Sequence, residues 1–321
     1  MSSAKKKLRA AVIGVGYLGS FHAQKYQKST HAELVAVVDV DPSRAADVGK
    51  KNTCYAVTDY RKILTDIDVA SIVVPPANHF EVAHDCLSAG VHVLVEKPLT
   101  EEVDQAEALI RIAEANSLVL QVGHLERFNP LMPRLLDAIP EPTLMESCRF
   151  APYQKRGTEV DVVLDLMIHD IDILLSFAPG KPERIKASGT SVISQSIDIA
   201  NANIRFDCGL EANLEASRVS KVPMRTITLY QNSSYATLDS MNHELKFGRV
   251  SEGEKKDFSK TLAFEYGSAD ILMEEIVSFL EVVQSGDTPK VTGEDGKRAL
   301  QLAINISRSI SRNVVSVDRT P

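Results

Sequence analysis

Residues 14–19 read Gly-Val-Gly-Tyr-Leu-Gly, directly after the apolar run Arg9–Ile13 and ahead of an amphipathic stretch. In a strand–turn–helix each glycine answers a different need. Gly14 permits the tight turn, Gly16 lets the backbone approach a phosphate, and Gly19 lets helix and strand pack closely. The helix start at Tyr17 and Leu18 then offers unpaired N–H groups to a pyrophosphate. Such turns are common on their own. Asp39 supplies the partner: it ends the next apolar run, Leu34–Val38, twenty residues after Gly19. A carboxylate there accepts both adenosine ribose hydroxyls and repels a 2′-phosphate. The plain structural reading of Asp39 is a strand-end carboxylate opening an Asp-Val-Asp-Pro turn. With the glycines in place, the pattern points to a dinucleotide, NAD rather than NADP, with a flavin the lesser choice. Ser43 and Arg44 follow closely, and an arginine there is able to meet a phosphate.

Two further segments place reactive side chains at strand ends. One is Val73-Val-Pro75-Pro-Ala-Asn78-His79 and the other is Val95-Glu96-Lys97-Pro98. Open α/β sheets bind ligands at their carboxyl edge, which makes Pro75, Asn78, His79, Glu96 and Lys97 candidate cofactor contacts. Pro98 also suits the first turn of a helix, so the tripeptide taken alone reads as punctuation. Downstream, Asp165 and His169 are four apart in an apolar stretch, so an α-helix would put them on one face within hydrogen-bonding reach. Polar groups in so apolar a helix are costly unless paired or used. Taken alone they read as a satisfied core pair, or as a solvated stripe including Asp172. His79, His84 and His169 have no compact ligand spacing, and no metal is expected.

The elements that would carry these residues alternate. Strands are predicted at Arg9–Ile13, Leu34–Val38, Ala70–Val74, Val91–Val95 and Val119–Val122. Helices are predicted at Ser20–Lys28, Arg44–Lys51, Tyr60–Asp66, His79–Ala89 and Glu101–Asn116. Near-continuous apolar strands between helices predict an α/β fold, a Rossmann-type doubly wound parallel sheet. After a helix at Asp161–Phe177 the chain turns strand-rich. Ile199–Phe206 and Leu210–Arg218 form a hairpin at Asp207–Gly209, and Arg225–Tyr230, Ser234–Leu238 and Glu244–Phe247 continue it. Alternation along 210–217 predicts an α+β domain with an open, mostly antiparallel sheet. Helices at Ala269–Gln284 and Glu294–Arg312 close the chain. The expected division is 1–123 and 124–321, with the last helix packing back on the first domain.

With 321 residues, two domains are the default. The chain is 44% apolar and 25% charged, ordinary for a globular protein, and its net charge of −7 argues against nucleic-acid or anionic-membrane partners. No apolar run approaches the ~20 residues of a membrane span, and the start lacks the apolar core of a leader. Cysteines 54, 86, 148 and 208 show no CxxC spacing. They read as buried thiols in a reducing, cytoplasmic setting.

Gly14–Gly19, Glu96-Lys97-Pro98 and Asp165-x-x-x-His169 occur together, in this order and at these distances. That combination resembles the Gfo/Idh/MocA oxidoreductases, the glucose-fructose oxidoreductase and inositol dehydrogenase family. The resemblance covers nearly the whole chain, including Gly293-Glu-Asp-Gly-Lys-Arg-Ala-Leu-Gln-Leu-Ala. It implies an NAD-binding Rossmann domain and a second domain whose open sheet mediates a homodimer or homotetramer. It implies also that Lys97, Asp165 and His169 line the site where a sugar or cyclitol carbon meets the nicotinamide. In that reading His169 takes the hydroxyl proton, Lys97 stabilises the alkoxide or itself acts as base, and Asp165 orients the imidazole.

Gly123-His-Leu-Glu-Arg127-Phe-Asn-Pro130 resembles the subgroup acting on nucleotide-linked amino sugars. This implies oxidation at C3 of UDP-N-acetylglucosamine, giving the keto sugar that transamination carries to a 3-amino sugar of lipid A. Arg127 and Tyr153 then become substrate contacts, the arginine suiting a diphosphate; both also read as ordinary surface residues. Free sugars, inositols or other polyols are alternative substrates, and a non-catalytic NAD-binding sensor is the alternative from another class. Two departures bear on the substrate pocket: Glu159-Val-Asp-Val-Val163 replaces a glycine-rich lead-in, and Met167 stands where a small residue is common.

Overall fold

The computed structural model describes residues 7–154, 160–178, 180–250, 258–265, 267 and 269–313. The chain divides into two compact units, residues 1–128 with 270–300, and residues 129–269 with 301–321.

In the first unit, β1 (Leu8–Ile13), α1 (Tyr17–Lys28), β2 (Ala32–Val38), α2 (Pro42–Asn52) and β3 (Tyr55–Val57) are followed by β4 (Val69–Ile72) and α3 (His79–Ser88). β5 (His92–Glu96), α4 (Val103–Ala115) and β6 (Leu120–Gly123) complete a six-stranded sheet ordered β3-β2-β1-β4-β5-β6. Every pairing in it is parallel. The central strands are sealed on both faces: Ala10, Ala11, Val12, Val93, Leu94 and Val95 are all 0% exposed, which is why they read as unbroken apolar runs. The chain reverses its winding at β1 and β4, and parallel strands bring Gly14, Asp39, Val73, Lys97 and His124 to one edge. α7 (Ile271–Ser285) returns to this unit, where Ile276, Phe279 and Leu280 join Ala23, Tyr26 and Leu34 in one core.

Two expectations fail here. β3 is absent from the sequence reading, because three residues pairing with Ala36–Val38 leave no periodic signal. The helix expected over Tyr60–Asp66 is only a 3₁₀ turn, Tyr60–Ile63, opened by the Asp59 carboxylate accepting from the Arg61 N–H. Residues 64–66 continue as a turn before the chain re-enters the sheet at Val69.

In the second unit α5 (Met132–Ala138) and β7 (Leu144–Phe150) precede α6 (Ile168–Phe177). Then follow β8 (Pro182–Thr190), β9 (Ile199–Phe206), β10 (Glu211–Ser217), β11 (Met224–Gln231), β12 (Ser234–Asp239), β13 (Glu244–Val250) and β14 (Phe258–Glu265). They form an eight-stranded sheet, β14-β13-β12-β11-β7-β10-β9-β8, in which only β7 and β10 run parallel. Ala212, Leu214 and Ala216 are buried on one face of β10, as the alternation predicts. The boundary between units falls within α8 (Gly293–Asn313).

β7, β8 and β14 were not expected from the sequence. β7 hides because Glu146 and Arg149 break its apolar pattern, yet Arg149 is only 4% exposed and lies at the centre of the sheet. Its guanidinium donates to the buried Asp170 carboxylate at 2.8–3.1 Å from two nitrogens. Removing one partner of such a pair strands the other charge in the core. Arg149→Met or Asp170→Asn is therefore expected to cost about 3–5 kcal/mol, read from denaturant midpoints, and Arg149→Met/Asp170→Leu should recover much of that loss.

Candidate active site

The glycine turn sits where β1, α1 and the end of β4 meet. Gly14 has φ +87°, and a Cβ there would stand 2.6 Å from the Val73 carbonyl oxygen. At Gly19 a Cβ would overlap the Gly14 carbonyl. Gly16 differs: a Cβ would meet no protein atom within 4 Å. Protein packing therefore does not require glycine at 16, whereas close approach of a phosphate does.

Asp39 is buried and fixed from three sides. Oδ2 accepts from the Val15 N–H at 3.1 Å, Oδ1 accepts from the Asp41 N–H at 3.0 Å, and Arg44 Nη1 donates to both oxygens at 3.1 and 3.3 Å. The arginine considered from sequence as a phosphate anchor is thus held on the carboxylate. A groove of about 510 Å³ opens here, lined by Gly14, Gly16, Asp39, Arg44, Pro75 and Asn78 among others. Its far end holds Thr58, Tyr60, Arg61 and Glu81, which no motif had marked. There the Arg61 guanidinium stacks 4.6 Å over the Tyr60 ring and donates to Glu81 and Asp85. A comparable groove of about 560 Å³ lies at the opposite sheet edge, beside His92, Ile110 and Leu118, away from all these residues.

The remaining cofactor candidates divide. Tyr17 (65% exposed) and Leu18 stand at the start of α1, with Tyr17 edge-on to Phe21 at 5.2 Å. His79 does not present its side chain to the groove: it is 1% exposed, with Nδ1 2.7 Å from the Pro98 carbonyl and Nε2 2.9 Å from that of Val74. Its place is between the loops after β4 and β5. Glu96 also turns inward, its Oε1 3.2 Å from His22 Nε2 and its side chain 13% exposed. Both side chains thus brace the loop that carries Lys97.

Beneath that loop lies a polar interior invisible to motif reading. Burial opposes charge on Glu96, but the His22 hydrogen bond and the charges of His22 and Lys97 prevail, holding its carboxyl below the usual range. Glu275 on α7 is 0% exposed, and neither carboxylate oxygen has a hydrogen-bond partner among the described residues. Burial, and then the Glu96 charge, push its pKa well above the ordinary value. The two carboxyls are thus shifted in opposite directions, Glu96 down and Glu275 up. His124, just past β6, is pushed down to about 3 by burial and then by the cations of Lys97 and Arg127. Each of these sits alone in an amphipathic or apolar stretch, and only the fold brings them together.

In the second unit, the helix expected over Asp161–Phe177 opens with a π turn at Val163–Met167, in which the Ile168 N–H reaches back to the Val163 carbonyl. Asp165 stands within this turn and His169 at the start of α6. Both keep partial exposure while Val163, Met167, Ile168 and Asp170 are buried. Met167 is 0% exposed and belongs to the core, so it does not shape a pocket wall. Asp161 caps the turn, accepting from the Val163 and Leu164 N–H groups at 3.0 Å and from Ser307 Oγ at 2.7 Å. Arg218 secures the preceding residue, donating to the Val160 carbonyl and to the buried Asp198 carboxylate. Tyr153 is half-buried after β7; Glu159 lies outside the described residues. Among the described residues no group of three His, Cys, Asp or Glu side chains is arranged to hold a metal.

A glycine turn at the switch point of a parallel sheet, with a fixed carboxylate one strand over, defines a dinucleotide-binding Rossmann protein. Comparison with known proteins narrows the class. The description "Oxidoreductase family, NAD-binding Rossmann fold" matches residues 8–124, and "GFO/IDH/MocA C-terminal domain" matches residues 147–232. The chain is 35% identical over 302 residues to a UDP-N-acetylglucosamine 3-dehydrogenase of Acidithiobacillus ferrooxidans, covering 93% of this chain and 96% of the relative. A solved structure of that dehydrogenase superposes with a TM-score of 0.89 over 96% of this chain and 99% of the other, at 34% identity. A myo-inositol 2-dehydrogenase of Thermotoga maritima is 25% identical, covering 94% and 96%. The chain belongs to the GFO/IDH/MocA family of oxidoreductases, enzymes acting on CH–OH groups.

The raised pKa of Glu275 has a measurable signature. A carboxyl whose native pKa lies above the unfolded value of about 4.3 lends stability below that value and loses it as pH climbs toward the native pKa. Glu275→Gln should therefore match the parent near pH 4.5 and exceed it increasingly up to pH 8, in denaturant midpoints taken across that range. A pH-independent difference would mean that Glu275 is ionised in the native state.

Proposed function

We propose that this enzyme oxidises the C3 hydroxyl of UDP-N-acetylglucosamine to a ketone, with NAD as acceptor. The observation that carries the reading is the near full-length similarity to a dehydrogenase of that name. It is supported by Lys97 and Arg127, which put cations beside the sheet edge where a ligand would lie. Bound NAD supplies the hydride acceptor.

The chain's own residues then have distinct tasks. We assign to His169 the removal of the hydroxyl proton as hydride leaves the same carbon, since an imidazole titrates near neutrality. Lys97 donates a hydrogen bond to the same oxygen and stabilises the charge that develops on it. Asp165 orients His169 and favours its protonated form. The π turn supports this assignment, because such wide turns recur at functional positions in helices. The product ketone calls for a transamination, and a route to a 3-amino sugar of lipid A belongs to this reading. So do a cytoplasmic setting and a homo-oligomer formed through the open sheet. A free polyol is the second reading, favoured by the inositol dehydrogenase relative.

Kinetics test the assignment. NADH formation with UDP-N-acetylglucosamine should fall ~100-fold or more in Lys97→Ala and in His169→Ala, with NAD affinity retained. Normal turnover in both would remove the mechanism. A panel with and without the uridine diphosphate group separates the two substrate readings.

The preference for NAD over NADP rests on Asp39. Its orientation by Val15, Asp41 and Arg44 leaves a negative charge where a 2′-phosphate would lie. Asp39→Ser should lower kcat/KM for NAD and, by releasing Arg44, raise it for NADP, inverting their ratio. An unchanged ratio would place the discrimination elsewhere.

A further inference from the structure

We propose that Arg127 and Lys290 form an anion site for the diphosphate of the substrate, with Lys290 a specificity-determining residue; this rests on the nucleotide-sugar reading above. β5 and β6 end level with one another, Glu96 opposite Gly123. Lys97 follows the first strand, and the 3₁₀ turn Leu125–Phe128 follows the second. The segment before α8 runs antiparallel along β6: Gln121 bridges Thr292, and the Val122 N–H donates to the Val291 carbonyl at 3.1 Å. Counting back along that register brings Lys290 to the carboxyl end of β6.

Side-chain contacts then hold Lys290 beside Arg127. The Lys290 ammonium lies 5.1 Å from the centre of the Phe128 ring, and Arg127 Nη2 donates to the Lys290 carbonyl at 3.4 Å. Lys290 is exposed and Arg127 half-buried, so a ligand can reach both. Burial and then the Arg127 charge draw the Lys290 pKa down, and Glu274 opposes them less strongly. His124 registers the same field from Lys97 and Arg127. Lys97, Arg127 and Lys290, from three separate segments, thus stand at one sheet edge, with Glu96, Glu274 and Asp295 in the same field.

The cofactor pyrophosphate belongs elsewhere. Its glycine cradle follows β1, three strand spacings or ~14 Å from β6 in the sheet order. Two phosphates match two cations, with the arginine suited to bidentate contact and the lysine acting as a point charge. An inositol or free sugar brings no anion to this place, whereas a nucleoside diphosphate sugar does.

The test uses UDP itself as probe, titrated calorimetrically into NAD-loaded enzyme. Lys290→Met should weaken UDP about tenfold or more, the loss of one charged hydrogen bond, while Lys290→Arg stays near the parent and NAD affinity is unchanged. Equal UDP affinity in parent and Lys290→Met, no UDP binding by the parent, or an equal loss of NAD affinity would each overturn the site. Turnover of UDP-N-acetylglucosamine in the same preparations separates the two ideas. Normal turnover with an unmoved KM in Lys290→Met removes the anion site and keeps the reaction. A Lys290-dependent UDP affinity with no turnover by the parent removes the reaction and keeps the site.

Discussion

At residues 14, 19 and 73, backbone meets backbone with no room for a side chain. Gly14 turns the chain through a left-handed conformation against the Val73 carbonyl, and Gly19 lies against Gly14 itself. That contact seats the start of α1 between β1 and β4, where the winding of the sheet reverses. It also brings the Val15 N–H within reach of the Asp39 carboxylate. The glycine cradle, the fixed Asp39 carboxylate and the groove beside them follow from one steric constraint. A methyl group at either glycine would force the strand ends apart.

The edge so defined is supported from below by an unusual economy of charge. Glu96 and Glu275 occupy one interior and are shifted in opposite directions: His22 and Lys97 outweigh burial and lower Glu96, while burial and the Glu96 charge raise Glu275. In the second unit the same physics takes a different form. Arg149 with Asp170 and Arg218 with Asp198 are fully paired, and they fix the strand and the π turn on either side of Asp165 and His169. Buried ion pairs seldom add net stability over apolar packing, so their value here is better sought in orientation.

How far the sequence revealed this depends on whether a feature is local. The glycine turn, Asp39 and the strand–helix alternation are local, and each was legible, as was the hairpin around Asp207–Gly209. So was the family, because three short motifs stand at matched distances. β7 was not, since its Arg149 is explained only by Asp170, twenty-one residues on. His79 and Glu96 were read as cofactor contacts from their place at strand ends. Their side chains also face Pro98, Val74 and His22, partners that no spacing rule supplies. The π turn inserts one residue into an otherwise regular apolar pattern and leaves no compositional trace. Glu275 reads as one more acidic residue on an amphipathic helix until its burial is seen.

The central claim is that hydride leaves C3 of a diphosphate-linked amino sugar for the nicotinamide ring. UDP-N-acetylglucosamine carrying deuterium at C3 tests it directly, with the reduced cofactor examined by proton NMR. The account predicts one deuterium at C4 of the nicotinamide for each ketone formed. Reduced cofactor free of deuterium, or a ketone at another carbon, would contradict it.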